Sequence, residues 1–290
     1  MIIVKNISDL NNIISDQSSK TSNIGLVPTM GSLHDGHLAL IRDANKKCDI
    51  VWVSIFVNPT QFNDLNDYDS YPNELENDIK KIRTISSKIY VFCPSVSEIY
   101  NNEVSSEKFN FNDIDKVLEG KYRPGHFNGV ATIVKKLFKA IKPLKVFFGE
   151  KDFQQIIIIK QIINSYFPKI TLITCPTVRN NDGLALSSRN RRLNDLEKEY
   201  SSLIFKCIFN LNKSIKELFI DFIVAIASTA PEAPNRCPIF DLVELIERLY
   251  ACFLNICMLI RYMYAYKVYA YLEVCMLLRY MHAYMLYACL

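Results

Sequence analysis

The sequence predicts an α/β protein: a doubly wound parallel sheet over most of the chain, followed by a helical or disordered C-terminal segment of another character. Three observations carry this. Short apolar runs alternate with segments of helical periodicity from Met1 to about Lys216. The segments that follow the apolar runs are polar. No glycine occurs after Gly183. Strands alternating with helices imply a parallel sheet covered on both faces. Such sheets bind ligands outside the carboxyl ends of their strands, so the polar segments after strands are expected to hold the chemistry.

In order, the apolar runs 24–27, 50–57, 89–92, 144–148 and 170–174 read as buried parallel strands. Helical patterns fill 37–47, 74–86, 129–141, 153–166 and 195–211. From Tyr250 the chain is mostly Tyr, Met, Ala, Cys and Leu, and the string Cys257 to Tyr266 nearly recurs at Cys275 to Tyr284. A spacing of eighteen residues is five helical turns, so a repeated helical face is one reading. The other is a displaced reading frame or repeat expansion, because a tandem ATGC tetranucleotide encodes Met-His-Ala-Cys. Arg261, Lys267, Glu273 and Arg279 interrupt any apolar window long enough to span a bilayer, so no membrane partner is expected unless this tail inserts. The domain division expected is 1–190, 191–218 as the start of a second domain, and 219–290 as the divergent tail.

Composition excludes several classes. A net charge of +4 over 290 residues is too small and dispersed for nucleic acid, though it suits anionic substrates. Cys48, Cys93, Cys175 and Cys207 are isolated in or beside apolar runs, and no Cys-x-x-Cys pair occurs. That argues against a disulfide framework or a zinc site, so no resident metal is expected, and reduced thiols point to the cytoplasm. The N-terminus lacks a basic region followed by a long apolar core, hence no export signal is expected.

Five segments carry candidate chemistry. Met30, Gly31, Ser32, Leu33, His34, Asp35, Gly36 and His37 join a strand to a helix start. Helix N-termini favour anions, Gly36 allows a close backbone approach, and His34 and His37 can donate to phosphate charge. Two of the chain's four histidines fall in this one tetrad. Asn58 and Gln61 follow the second run and can grip a hydroxyl and a carboxylate without burying a charge. Arg123 and His126 stand before a Gly-opened helix, again suited to an anion. Gly149, Glu150, Lys151 and Asp152 follow the fourth run, with Lys151 able to neutralise developing charge, Asp152 a helix cap, and Gln155 one turn in. Leu186, Ser187, Ser188 and Arg189 supply hydroxyls and a fixed cation after an Asp-Gly turn.

Taken together, the strings Pro-Thr-Met-Gly…His-Asp-Gly-His, Asn-Pro-Thr-Gln-Phe, Arg-Pro-Gly-His-Phe, Gly-Glu-Lys-Asp-Phe-Gln-Gln and Leu-Ser-Ser-Arg-Asn resemble the pantothenate synthetase (pantoate–beta-alanine ligase) family. This is one of the nucleotidyltransferases marked by His-x-Gly-His, with a Rossmann-like sheet. The likeness runs from about Val4 to about Leu211.

The resemblance implies two half-reactions in one pocket. Pantoate is activated by ATP as pantoyl adenylate, and beta-alanine then displaces AMP. It implies that Met30 to His37, Gly149 to Asp152 and Leu186 to Arg189 bind ATP, with His37 the family's proton donor and Val178 meeting adenine through its backbone. Catalytic roles fall to His34, His37, Lys151 and Arg189. Gln61 and Gln155 are implied to hold pantoate, with Asn58, Arg123 and His126 beside them. Mg²⁺ is implied on the triphosphate, with Asp78 able to approach it, and the family analogy implies a cytoplasmic homodimer. Two departures stand out. Asn73 occupies a position usually held by Arg, and the family's small α/β lid is not recognisable beyond about Leu218. Alternatives are another His-x-Gly-His nucleotidyltransferase, disfavoured by the neutral pair Gln61 and Gln155, or a folded remnant whose altered C-terminus makes it a binding or membrane-associated protein.

Overall fold

The structure is a computed structural model and describes residues 1–210, apart from 22, 102, 204, 207 and 208. The 219–290 tail, its repeat and Cys207 therefore lie outside the described residues. The elements run β1 (Ile2–Val4), α1 (Ile7–Lys20), β2 (Ile24–Thr29), α2 (Asp35–Lys47), β3 (Ile50–Ile55), α3 (Leu65–Asp69) and α4 (Leu75–Arg83). They continue with β4 (Tyr90–Phe92), α5 (Val96–Tyr100), α6 (Glu119–Tyr122), α7 (His126–Ile141), β5 (Lys145–Gly149), α8 (Phe153–Tyr166) and β6 (Thr171–Cys175).

Among the described residues the strands form one six-stranded sheet in the order β1-β4-β3-β2-β5-β6, every pair parallel. The order reverses at β2. Chain segments wind outward through β3 and β4 on one side and through β5 and β6 on the other. The crevice beside β2 and β5 is therefore the switch point, where a doubly wound sheet places its ligand.

Strand alternation assigns the two cores. Leu26, Trp52, Phe92 and Val146 face one side, where α1, α7 and α8 contribute Leu10, Ile14, Val134, Phe138, Ile141, Ile159 and Ile163. Their neighbours Val27, Val53, Val91 and Phe147 face the other, where Leu38, Ile41 and Ala44 of α2 and Ile82 of α4 pack. Trp52 is fully buried, yet its indole N–H donates to Gln17 Oε1 at 2.9 Å, so its polar atom is satisfied. Burying each large side chain here contributes about 1.5–3 kcal/mol.

The structure adds and trims elements. β1 and α1 were not anticipated, although Asn6 caps α1 by accepting the Asp9 amide at 2.8 Å. β1 is a three-residue edge strand, too short to show a period. β6 was expected to be buried, but it is the opposite edge, and only Cys175 of its five residues is fully covered. α7 begins three residues earlier than its pattern, at His126, because Gly125 takes a left-handed conformation that lets the chain turn into the helix.

A second unit, among the described residues, is made from 181–184 and 192–210. Residues 195–203 are helical, opened by a reciprocal cap in which Asn194 and Glu197 each accept the other's backbone amide at 2.9 Å. No helix among the described residues is long and apolar enough to cross a membrane.

Candidate active site at the switch point

β2 ends at Thr29 and the chain then turns through Met30–His34 into α2. At this helix start the two imidazoles cap one another's turn. The Gly36 amide donates to His34 Nδ1 at 3.2 Å, and the His34 amide donates to His37 Nδ1 at 3.3 Å. The rings lie 4.0 Å apart between centroids. Each Nδ1 is thus an acceptor, which places the ring proton on Nε2 in both histidines. Burial, reinforced by the Lys151 ammonium, holds His34 down to about 4. Burial, the neighbouring His34 and Lys151 hold His37 down to about 3. Both are neutral at pH 7, and each offers one Nε2–H.

Gly36 proves to serve the histidines themselves. A Cβ there would sit 2.9 Å from His34 Cε1 and 3.0 Å from Nδ1, so the missing side chain makes room for the ring. The expected function, close approach of backbone to ligand, is not what this geometry requires. Nor are all first-turn amides of α2 available, because Gly36's is spent on His34.

Lys151 follows β5, the strand that pairs with β2, in a 3₁₀ turn over Glu150–Asp152. Its charge acts on both imidazoles. Asp152 stands at the N-cap of α8 but makes no side-chain cap bond, and its carboxylate faces the Lys151 ammonium at 3.4 Å. Of the adjacent glutamines, Gln154 is buried and structural. It donates to the Ile114 and Val117 carbonyls and accepts the Glu119 amide. Gln155, one residue on, is half-buried.

The Leu186–Arg189 segment reaches the same rim. Ser188 Oγ donates to the Ser32 carbonyl at 3.0 Å, and Leu186 Cβ lies 4.0 Å from where a Gly36 Cβ would be. The Leu186 amide donates to the Val178 carbonyl at 3.0 Å, folding this loop back on the chain after β6. Arg189 is held by Asp67 at 2.8 Å and lies over the Tyr71 ring.

The Asn58–Gln61 loop meets the first one. Gln61 Nε2 approaches Met30 Sδ at 2.7 Å, while its Oε1 accepts from Asn58. Asn58 is 1% exposed, and its amide is fully used. It donates to Gly129 O at 3.1 Å and to Gln61, and accepts from the Tyr100 and Thr60 hydroxyls. Arg123 and His126 are spent likewise. His126 Nδ1 donates to the Gln61 carbonyl at 2.7 Å, and its Nε2 accepts from Arg123 at 3.2 Å. Arg123 also donates to that carbonyl and to Glu119. His126 is therefore neutral in the opposite tautomer to His34 and His37, and burial beside Arg123 holds it down to about 4. These three side chains, expected on substrate, instead brace Gln61.

Asp78 was expected near a metal. It has no exposed surface, and its two oxygens take the Ser32 and Leu33 amides at 2.8 and 2.7 Å. Burial pushes its carboxyl up. Leu33 itself belongs to the core. A cavity of about 270 Å³ lies beside Met30, Gly31, Phe56, Tyr68 and Pro72, on a lining that includes neither His34, His37, Gln61 nor Gln155.

This geometry has relatives. A profile of the family described as pantoate-beta-alanine ligase matches residues 2–251, past about Leu211, where the likeness was expected to end. The pantothenate synthetase of Christiangramia forsetii is 46% identical over 200 residues, 69% of this chain and 71% of that protein. That of Phocaeicola vulgatus is 46% identical over 210 residues, 72% and 74%. The crystal structure of a pantoate-beta-alanine ligase from Francisella tularensis, complexed with beta-gamma ATP and beta-alanine, matches with a TM-score of 0.66 and 43% identity over 71% of this chain and 78% of that one. Pantothenate synthetase from Thermus thermophilus gives 0.68 and 33% over 75% and 76%. With its switch-point loops, its paired imidazoles and these matches in hand, the chain belongs to the pantoate–beta-alanine ligase family.

Proposed function

We infer that the chain condenses pantoate with beta-alanine to give pantothenate, using ATP and passing through pantoyl adenylate. The observation that carries this is the meeting, beside β2 and β5, of two neutral imidazoles, Lys151 and Ser188. Such a rim needs no protein nucleophile. A pantoate carboxylate oxygen attacks the α-phosphorus of ATP, the bond to the bridging oxygen breaks, and diphosphate leaves. The amine of beta-alanine then attacks the acyl carbon, the carbon–oxygen bond to phosphate breaks, and AMP leaves as the amine sheds its proton.

The residues supply alignment and charge stabilisation. His34 and His37 donate through Nε2–H to phosphate oxygens, and Lys151 neutralises charge that builds there. Ser187, Ser188 and Arg189 stand beside the triphosphate. Met30 to His37 and Gly149 to Asp152 line the nucleotide's path, with Val178 meeting adenine through its backbone. Gln61 and Gln155 hold pantoate, and Asn58, Arg123 and His126 act on it through Gln61. His37's proton-donor role is then hydrogen-bond donation from a neutral ring, since burial and Lys151 disfavour the imidazolium.

Mg²⁺ enters with ATP as part of the substrate. Both Asp78 oxygens are engaged by backbone amides, and the described residues offer no group of three metal-ligating side chains. On ATP it would be held by phosphate oxygens and would supply charge neutralisation there. The family reading also carries a cytoplasmic homodimer and a division at 1–190, 191–218 and 219–290. Purified full-length protein tests the reading directly. AMP release that requires pantoate and is raised by beta-alanine, with pantothenate formed, supports it, and release without pantoate, or no pantothenate formed, overturns it.

A further inference from the structure

The loop that carries the histidines is held from behind by one helix. Gly31 and Ser32 lie consecutively in the left-handed region, at φ +82° and +50°. In the turn that follows, the successive Ser32 and Leu33 amides converge on one carboxylate, a nest of the kind that elsewhere cradles an anion. Here the nest is filled by the protein itself. Asp78 on α4 accepts the Ser32 amide at 2.8 Å and the Leu33 amide at 2.7 Å, while Lys81, one turn on, donates to the Leu33 carbonyl.

A left-handed serine is strained by about 1–2 kcal/mol and persists only where its surroundings over-determine it. The Ser32 hydroxyl contributes nothing to that, since it is buried without a hydrogen-bond partner among the described residues. Its neighbour Asp78 contributes two charge-assisted bonds, the stronger kind. The residue immediately after this pair is His34, whose own amide holds His37.

We propose that Asp78 is a positioning residue for the reaction, its carboxylate fixing the Ser32–Leu33 backbone and thereby the places of the His34 and His37 Nε2–H groups. This rests on the function inferred above. It also explains why an acidic side chain is fully buried beside an anion-binding rim. The carboxylate occupies the nest, so the triphosphate meets the imidazoles and Lys151 rather than these amides.

The test is Asp78→Asn, which keeps the shape but sets an amide N–H₂ against one of the two backbone N–H groups. A positioning role predicts a fall in kcat of about tenfold or more, with KM for pantoate changed by less than about twofold. With only four histidines in the chain, imidazole ¹⁵N resonances give a second readout. The His34 and His37 signals move, and His126, held by Gln61 and Arg123, does not. Unchanged kcat, or unmoved His34 and His37 signals in a folded variant, overturns the proposal. If Asp78→Asn does not fold, Asp78→Glu keeps the charge but moves the carboxylate by one methylene and is read the same way. Displaced signals with kcat lowered by about threefold or more support the clamp, and wild-type behaviour sinks it. A wild-type chain without AMP release would defeat the underlying reading instead, and the resonances would still decide the clamp.

Discussion

The His34 backbone amide donates to His37 Nδ1 at 3.3 Å, so one imidazole is oriented by the backbone of the other. That single bond fixes His37's tautomer and leaves its Nε2–H as the outward donor. His37→Ala removes this donor from the rim. Loss of one preorganised transition-state donor costs on the order of 10²-fold in kcat, and steady-state AMP release against the wild type measures it. A loss below about threefold would remove His37 from the proposed machinery.

Gly36→Ala tests the room made for His34. Its Cβ would press on the His34 ring at 2.9 Å, and that half-buried ring yields by swinging out. The expected result is kcat reduced by about tenfold with Tm nearly unchanged, because activity depends on ring placement and stability does not.

Gly129→Ala should act on both. The added Cβ would fall 2.2 Å from the Thr60 carbonyl oxygen, and backbone on both sides leaves no flexible group to give way. Overpacking of this kind costs about 1–3 kcal/mol, and the Asn58–Gln61 loop must lift from α7. A lowered Tm together with a raised KM for pantoate is expected. A change in neither would mean that Gln61's position is not set from α7.

His126→Ala leaves the Gln61 carbonyl to Arg123 alone. KM for pantoate should rise about tenfold while KM for ATP holds, as measured by varying each substrate in turn. Equal increases in both would argue that His126 supports the fold rather than Gln61.

Stability should fall on mild acidification. The ordinary histidine value of 6.5 drops in the folded chain to about 4, 3 and 4 at His34, His37 and His126. The unfolded chain therefore takes up protons first, and unfolding free energy declines as pH falls from 6.5 toward those values. Each histidine adds a slope of up to about 1.4 kcal/mol per pH unit in that window. Asp78, shifted upward, works in the opposite sense near the carboxylate range. Urea titrations from about pH 7 to about pH 5 check the sign, and His126→Phe should flatten the slope.

Much of this was legible in the sequence, and the limits are instructive. Val27, Val53 and Phe147 announced buried strands because parallel strands covered on both faces read as continuous apolar runs. The strand order was not legible, since no local pattern says that β2 pairs with β5 as well as β3. His34, His37, Lys151 and Ser188 were singled out because the polar segments after strands were expected to hold the chemistry, and the structure brings them to one rim. The roles of Asn58, Arg123 and His126 were misjudged for a definite reason. Polar residues near a site look alike in sequence whether they face the ligand or the loop that faces it. Gln154 and the clamping role of Asp78 were missed on the same ground, because a buried acceptor of backbone amides has no spacing signature. For Asp78, an acid in the first turn of a helix directly after a Tyr-Pro turn was the available signal.

The pairing of β2 with β5 joins Gly25 to Lys145, about 120 residues along the chain. So long a loop must be closed before the contact rewards it, which makes this one of the slower steps in maturation. On the ribosome, at about 5–20 residues per second, the nascent histidine turn waits roughly ten seconds for its lysine to be made. Until then the newborn chain holds half a crevice, and Ser188, which closes on the Ser32 carbonyl, is made later still.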